Sequence, residues 1–415
     1  DSGVSAGGVQ GGRAQVAYVI PYDTNAAPVL AYRLQREGYR IAVAMRKLTA
    51  GGREWPRGTI VVRVSRNPEG LHDAVARLSR ETGALVWSIN SGFYETGDVG
   101  VGSEDIVSLK PPRIIMVADE GVDPSSYGAL WWLFDQAGVE FTPMTIANIK
   151  RASLASYNVI IIPDGSPDRY FSSFDKNGIE TLRRWVQNGG TLICVKGAAV
   201  FAALKDVNLT SSRLVGSEED EEKQEKTTRE DKAEPRPSPQ AETGTAQQAG
   251  TRRRRQGEGQ TAAEQQREVS DQTERLEGAP PELPLIASPS ARPGEVPEAV
   301  PGAIMRASVD RTTYLTFGYE EATLPVLVNS GYFFRPSKEG TNAVVFSPDE
   351  KEGLRLAGFV WPNNTERLLR GTAYVMEEHA GRGHVVLFAE DPSFRGIWRT
   401  TVRLFFNAIL FPSAM

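Results

Sequence analysis

Cys194 is the only cysteine in 415 residues, so no intramolecular disulfide forms and the redox compartment is not written in the sequence. Histidine is almost as scarce, with three: His72, His379 and His384. A zinc hydrolase needs two or three convergent His and carboxylate ligands plus an open position for water. No His-x-x-Glu or His-Glu-x-x-His spacing occurs. Each histidine reads as a surface side chain, and no metal site is expected. A run of about 18 apolar residues is missing too, which sets aside a membrane span. So is a basic excess: the net charge of −5 argues against a general nucleic-acid binder, which needs a basic face to displace counterions around phosphates.

What is present suits a globular chain. The hydrophobic share of 40 % is enough for a sizeable core, and the length fits two or three domains at roughly 150 residues each. The chain begins Asp1-Ser2-Gly3 without Met or a signal-peptide pattern, and residues 1–12 are small, polar and Gly-rich. They read as a flexible linker, with the expectation of something attached upstream; a frayed terminus is the alternative.

Residues 13–111 read as a small α/β unit. Apolar runs at Ala14–Ile20, Arg40–Arg46, Gly58–Val64 and Val86–Ser91 predict strands. Helical spacing over Asn25–Gly38 and Leu71–Glu81 predicts two helices, stopped by Gly38 and Gly83. The order βαββαβ matches a ferredoxin-like split βαβ; two βαβ units are the alternative.

Beyond Pro111-Pro112, near-continuous apolar strands alternate with helices, the pattern of a parallel sheet covered on both faces. Predicted strands are Arg113–Asp119, Val139–Thr145, Asn158–Asp164 and Thr191–Lys196, with helices over Tyr127–Gly138, Lys176–Asn188 and Ala198–Lys205. Residues 215–299 lose all periodicity and read as a disordered insertion, polar and charged, with few large apolar residues. Its Arg252–Arg255 run reads as a solvated loop rather than a nucleic-acid patch, because acidic residues surround it. After it come six strand patterns between Ala303 and Glu390 and a closing helix over Phe394–Leu410 with Ile397, Val402, Leu404, Phe405 and Ile409 on its apolar face. The expected fold class is therefore α/β: a small βαββαβ unit, then a three-layer parallel-sheet domain from 112–214 plus 300–415, interrupted by the insertion.

Cysteine nucleophiles on such folds sit on the sharp turn from strand to helix. Here that turn, just before Gly197, holds Lys196, and Cys194 falls two residues earlier inside the strand. A small thiol there is ordinary core packing; a two-residue misplacement of the strand end would rescue it as a nucleophile, but no base follows at a defensible spacing. Polar residues gather at predicted strand ends: Glu120, Asp164, Lys196, Glu390, Asp391 and, just beyond, Arg395. That edge of a parallel sheet is where ligands bind, and a mixed-sign cluster suits a peptide terminus or a sugar, with Arg395 as anchor. The competing reading makes these carboxylates helix caps, Asp391-Pro392-Ser393 above all, and Arg395 the partner of Asp391 or Glu390.

The stretch Gly189-Gly190-Thr191 with its strand, turn and helix resembles the class I glutamine amidotransferase-like fold, and Gly381–Val386 through Arg403–Ile409 resembles the end of ThuA-like members. A longer resemblance is to the region downstream of the peptidase domain in large bacterial zinc carboxypeptidase-family proteins. It rests on Thr49–Glu54 with Pro56–Thr59, Lys110–Arg113, Gly358–Pro362 and Asp391–Gly396, in that order. None of these is a catalytic signature. The resemblance implies a metallocarboxypeptidase parent, exported to the periplasm or outside the cell, with zinc and the catalytic glutamate in an upstream peptidase domain of the same polypeptide. This chain is then a non-catalytic accessory region without cofactor; an independent amidase or acyl-transfer enzyme is the alternative, and a peptide- or sugar-binding module a third.

Overall fold

A computed structural model describes residues 7–92, 99–217, 295–349 and 351–415. The first sheet begins with β1 (Gly8–Gln10), β2 (Ala17–Ile20), α1 (Ala26–Arg36) and β3 (Ala42–Ala44). A hairpin of β4 (Leu48–Ala50) and β5 (Arg53–Trp55) follows, then β6 (Ile60–Arg63), α2 (Leu71–Thr82), β7 (Leu85–Ile89) and β8 (Ile106–Ser108). The strand order is β1-β7-β2-β6-β3-β8. Its inner four, β7-β2-β6-β3, pair antiparallel throughout, which is the split βαβ arrangement rather than two βαβ units. Edge strand β1 corrects the linker reading: Gly8–Gln10 pairs in parallel with Leu85–Trp87. A Gly-rich composition weakens a strand's own preference but does not prevent pairing to a preformed edge.

The second sheet starts with β9 (Ile114–Val117), α3 (Pro124–Ala137), β10 (Phe141–Met144), α4 (Ile146–Ile149), β11 (Val159–Ile162), α5 (Pro167–Gln187), β12 (Thr191–Val195) and α6 (Gly197–Ala203). The chain resumes with β13 (Gly302–Val309), β14 (Thr323–Val328), β15 (Thr341–Phe346), β16 (Arg355–Phe359), α7 (Thr365–Leu369), β17 (Ala373–Ala380), β18 (Gly383–Phe388) and α8 (Val402–Leu410). Strands β10-β9-β11-β12-β18 are parallel. Every residue of β9, β11, β12 and β18 is buried, so helices cover both faces. Phe134 of α3 stacks with Phe405 of α8, and Phe174 of α5 with Phe201 of α6. The α/β class holds, and the sheet begun before the insertion is completed after it. Only β18 completes its parallel part, however; β17, β15, β13, β14 and β16 extend it antiparallel. One continuous core runs beneath both sheets, and a smaller one lies under the β4–β5 hairpin.

Three boundaries differ from expectation. Helix α5 starts at Pro167, capped by Ser166, and breaks at Asp175 (φ 49°), whose carboxylate caps Asn177 and Gly178; the periodicity over Lys176–Asn188 reveals only its second half. The closing helix begins at Val402, not Phe394, because Arg395 takes φ 49° and breaks the spiral, leaving Ile397 77 % exposed instead of on an apolar face. Finally, Val215 and Val300 are buried, so order reaches past both ends of the supposed 215–299 insertion; its remainder, 218–294 with the Arg252–Arg255 run, lies outside the described residues.

Glu378 of β17 ties the segment entering that region to the sheet. Its carboxylate accepts hydrogen bonds from the Thr210, Ser211 and Ser337 hydroxyls and the Ser211 N–H. Burial raises the carboxyl, but these donors outweigh it and hold it below the usual range. The group therefore contributes stability above its unfolded value, lost as pH falls through the folded one. Glu378→Ala is expected to cost about 2–4 kcal/mol by orphaning several buried donors; a urea midpoint unchanged at pH 7 would refute this.

Candidate functional site

Strand β12 delivers the chain into a strained turn. Lys196 has φ 48° and ψ −110°, a non-glycine outlier of the kind that costs about 1–3 kcal/mol and persists only where its surroundings over-determine it. The surroundings do so here. The Lys196 N–H donates to the Phe388 carbonyl at 2.8 Å, and the Gly197 N–H donates to Asp164 Oδ1 at 2.9 Å. A Cβ on Gly197 would lie 1.9 Å from the Gly165 carbonyl oxygen, so only glycine lets α6 begin this close to the neighbouring loop.

Strand order then decides which side chains meet. Asp164 follows β11, Lys196 follows β12, and Glu390 and Asp391 follow β18; these three strands are adjacent and parallel, so their ends share one edge. Lys196 Nζ lies 3.2 Å from Asp164 Oδ2, 3.6 Å from Asp391 Oδ2 and 3.8 Å from Glu390 Oε2, and donates to Asn329 Oδ1 at 3.2 Å. Of the six residues picked out from the sequence, four converge. Asn329, Ser330 and Ser126 complete the cluster and were missed. Ser126 Oγ donates to Asp391 Oδ1 and accepts from the Asp164 N–H; Ser330 Oγ and the Asn329 N–H donate to Glu390 Oε1. The only sequence signal for Asn329-Ser330 is a polar pair closing the apolar strand β14.

The cluster carries one cation against three carboxyl groups. Burial pulls the Lys196 ammonium down, but Glu390, Asp391 and Asp164 outweigh it, and the net direction is upward. Burial pushes Glu390 up to about 7, against the opposing pull of Lys196 and its donors, and raises Asp391 as well. Glu390 Oε2 is buried with no hydrogen-bond partner. With Oε1 already accepting two bonds, Oε2 is the oxygen that takes the proton.

Two expected members stand apart. Glu120 is exposed, and its loop is fixed by Asp119, which accepts from the Glu120 and Ile146 N–H groups. Arg395 is exposed over the Phe394 ring, against Ser125, Gly128 and Trp132 of the α3 face. Among the described residues no carboxylate pairs with it, which corrects the expected pairing with Asp391 or Glu390. Asp391 caps no helix either: its carboxylate turns to Lys196 and Ser126. Cys194 is fully buried in β12, and burial pushes its thiol far up, as core packing requires. The surface reading fails for His384, which is 2 % exposed beside Glu377; His72 is half-buried against the Tyr18 hydroxyl, and the His379 side chain is 61 % exposed.

No helix among the described residues is long and apolar enough to cross a membrane. No family model matches the chain, and no curated protein matches it. Among solved structures it is similar to a ThuA-like protein from Parabacteroides merdae, at 10 % identity and TM-score 0.41, over 72 % of this chain and 89 % of that one. A ThuA-like protein from Bacteroides uniformis is similar at 12 % identity and TM-score 0.35, covering 76 % and 94 %. A GMP synthase-type protein from Thermoplasma acidophilum is similar at 10 % identity and TM-score 0.35, covering 72 % and 92 %. At such identities and scores these likenesses do not bear on activity.

Proposed function

We propose that this chain is a non-catalytic accessory region with a glutamine amidotransferase-like fold, part of an exported protein of the zinc carboxypeptidase type. One observation supports the non-catalytic half: the strand-to-helix turn presents Lys196, not a thiol. An amine attacks only after losing its proton, and the carboxylates around Lys196 hold that proton on. The nearest thiol, Cys194, is buried without a base. The parent's identity is supported by the sequence resemblance alone, and zinc chemistry belongs on this reading to an upstream peptidase domain.

Two measurements test it. A small alkylating reagent is expected to leave Cys194 unlabelled in the folded protein and to label it fully in denaturant, and the chain is expected to hydrolyse neither glutamine nor C-terminal peptide substrates. Rapid labelling of the native thiol, or turnover lost in Cys194→Ala, would establish the amidase reading instead. The upstream coding sequence decides the parent: His-x-x-Glu followed by a distant His is expected there.

A second reading, a polar-ligand module, is favoured by the opening of the cluster to solvent at Asp164 and Lys196, whose side chains are 17 % and 11 % exposed. A peptide terminus or a sugar would meet both charge signs there, so each charge could be paired as water leaves. Arg395, outside the cluster, would not anchor it.

A further inference from the structure

We infer that Glu377, His379 and His384 form a binding site for a late first-row divalent metal ion, zinc being the reference, at the turn end of the β17–β18 hairpin. The site is independent of the reading above: His384 is at the beginning of β18, and the Lys196 cluster lies beyond its other end.

The hairpin itself assembles the three side chains. Ala380 pairs with Gly383 across a two-residue loop, Gly381-Arg382, in which Gly381 takes φ 65°, the left-handed position that such tight hairpins reserve for glycine. That register sets His379 directly opposite His384. Glu377 lies two residues before His379 and so points to the same face. Glu377 Oε1 is 2.8 Å from His384 Nδ1 and 3.4 Å from His379 Nε2, and one ligand atom from each residue lies within 4.8 Å of the others. Three ligands about 2.1 Å from a tetrahedral ion stand about 3.4 Å apart, close to the separations already present. Imidazole nitrogens with one carboxylate suit zinc, cobalt, nickel or copper rather than magnesium or calcium, which prefer all-oxygen shells.

Two features are left over by the simpler account of a buried His384–Glu377 pair. His379 is 61 % exposed and free to extend into water, yet its ring folds back to 4.5 Å from that of His384, over the same glutamate oxygen. The Tyr314 hydroxyl is fully buried without a partner; its ring meets His384 edge-on at 6.0 Å, and the Glu377 charge acts on it. An unpartnered donor beside the carboxylate is the outer group that orients a metal-bound ligand. The exposed His379 leaves an entry path, and the remaining coordination position faces solvent.

The chain's histidine count makes the test clean, since His72 is the only other one. Metal-free protein dialysed against zinc chloride is expected to take up one zinc per chain by elemental analysis, and cobalt(II) to give visible d–d absorption of a four- or five-coordinate site. His379→Ala, at an exposed position, is expected to keep the metal-free melting temperature and weaken zinc binding at least about 100-fold, more than the loss of an outer-shell partner does. His72→Ala is expected to bind as the unmodified protein does. No stoichiometric uptake by the unmodified protein, or uptake that survives in His379→Ala, would overturn the site and leave a buried histidine–glutamate pair.

Discussion

Lys196→Met is expected to lower folding stability by about 3–5 kcal/mol, the usual cost of leaving buried charge without its partner. Methionine fills the same volume, so the loss is electrostatic rather than a cavity. Asp164 and Asp391 would face each other and Glu390 with no cation between them. The strain at φ 48° stays in either case, because any side chain at this position must adopt it. Urea unfolding at pH 7 measures the effect, and a second variant shows its origin. Adding Asp391→Asn and Glu390→Gln to Lys196→Met removes the unpaired charges and is expected to recover most of the loss. A single variant within about 1 kcal/mol of the parent would mean that water already screens the cluster.

The second large effect is a loss of stability on raising the pH. Glu390 has its folded value raised to about 7, so between its ordinary 4.5 and 7 the native state holds a proton that the unfolded chain has released. Stability from this group is fully present below pH 4.5 and falls as pH rises to about 7, by about 3 kcal/mol at 1.36 kcal/mol per unit. Asp391, also raised, adds to the same slope, whereas Glu378 works oppositely at acid pH. Comparing Glu390→Gln with the parent removes these shared contributions. The variant is expected to match the parent at pH 4.5 and exceed it by a few kcal/mol at pH 8, since the amide is neutral throughout. Parallel stability curves for the two proteins would show that Glu390 is ionised in the native state across this range.

Both effects depend on residues whose chemistry is local but whose company is not. Lys196 was legible because an apolar strand running into small helix formers through Lys-Gly fixes a strand-turn-helix, and a side chain at that turn must face the sheet edge. Asp164, Glu390 and Asp391 were legible for the same reason, as polar residues closing apolar strands. Their mutual distances were not, because they follow from the order β11-β12-β18, and β18 joins only after the long stretch that separates it from β12 in sequence. Ser126 illustrates the limit: it bonds a residue 265 positions away, and nothing in its own helix marks it. Arg395 failed for a local reason, a single left-handed residue that no periodicity registers.

By itself the sequence determined the α/β class, the split βαβ order of the first sheet, the alternating strands and helices of the second, and the burial of Cys194. These follow from hydrophobic period and turn chemistry, which act between residues close along the chain. Tertiary structure decided the rest: which strand ends are neighbours, hence the Lys196 cluster, and which hairpin register sets His379 opposite His384 on the face of Glu377. The physical reason is that pairing across a sheet is chosen by the burial of whole faces, a sum over many residues. A charge or an imidazole is carried to its partner by that sum, whatever its own short-range preference.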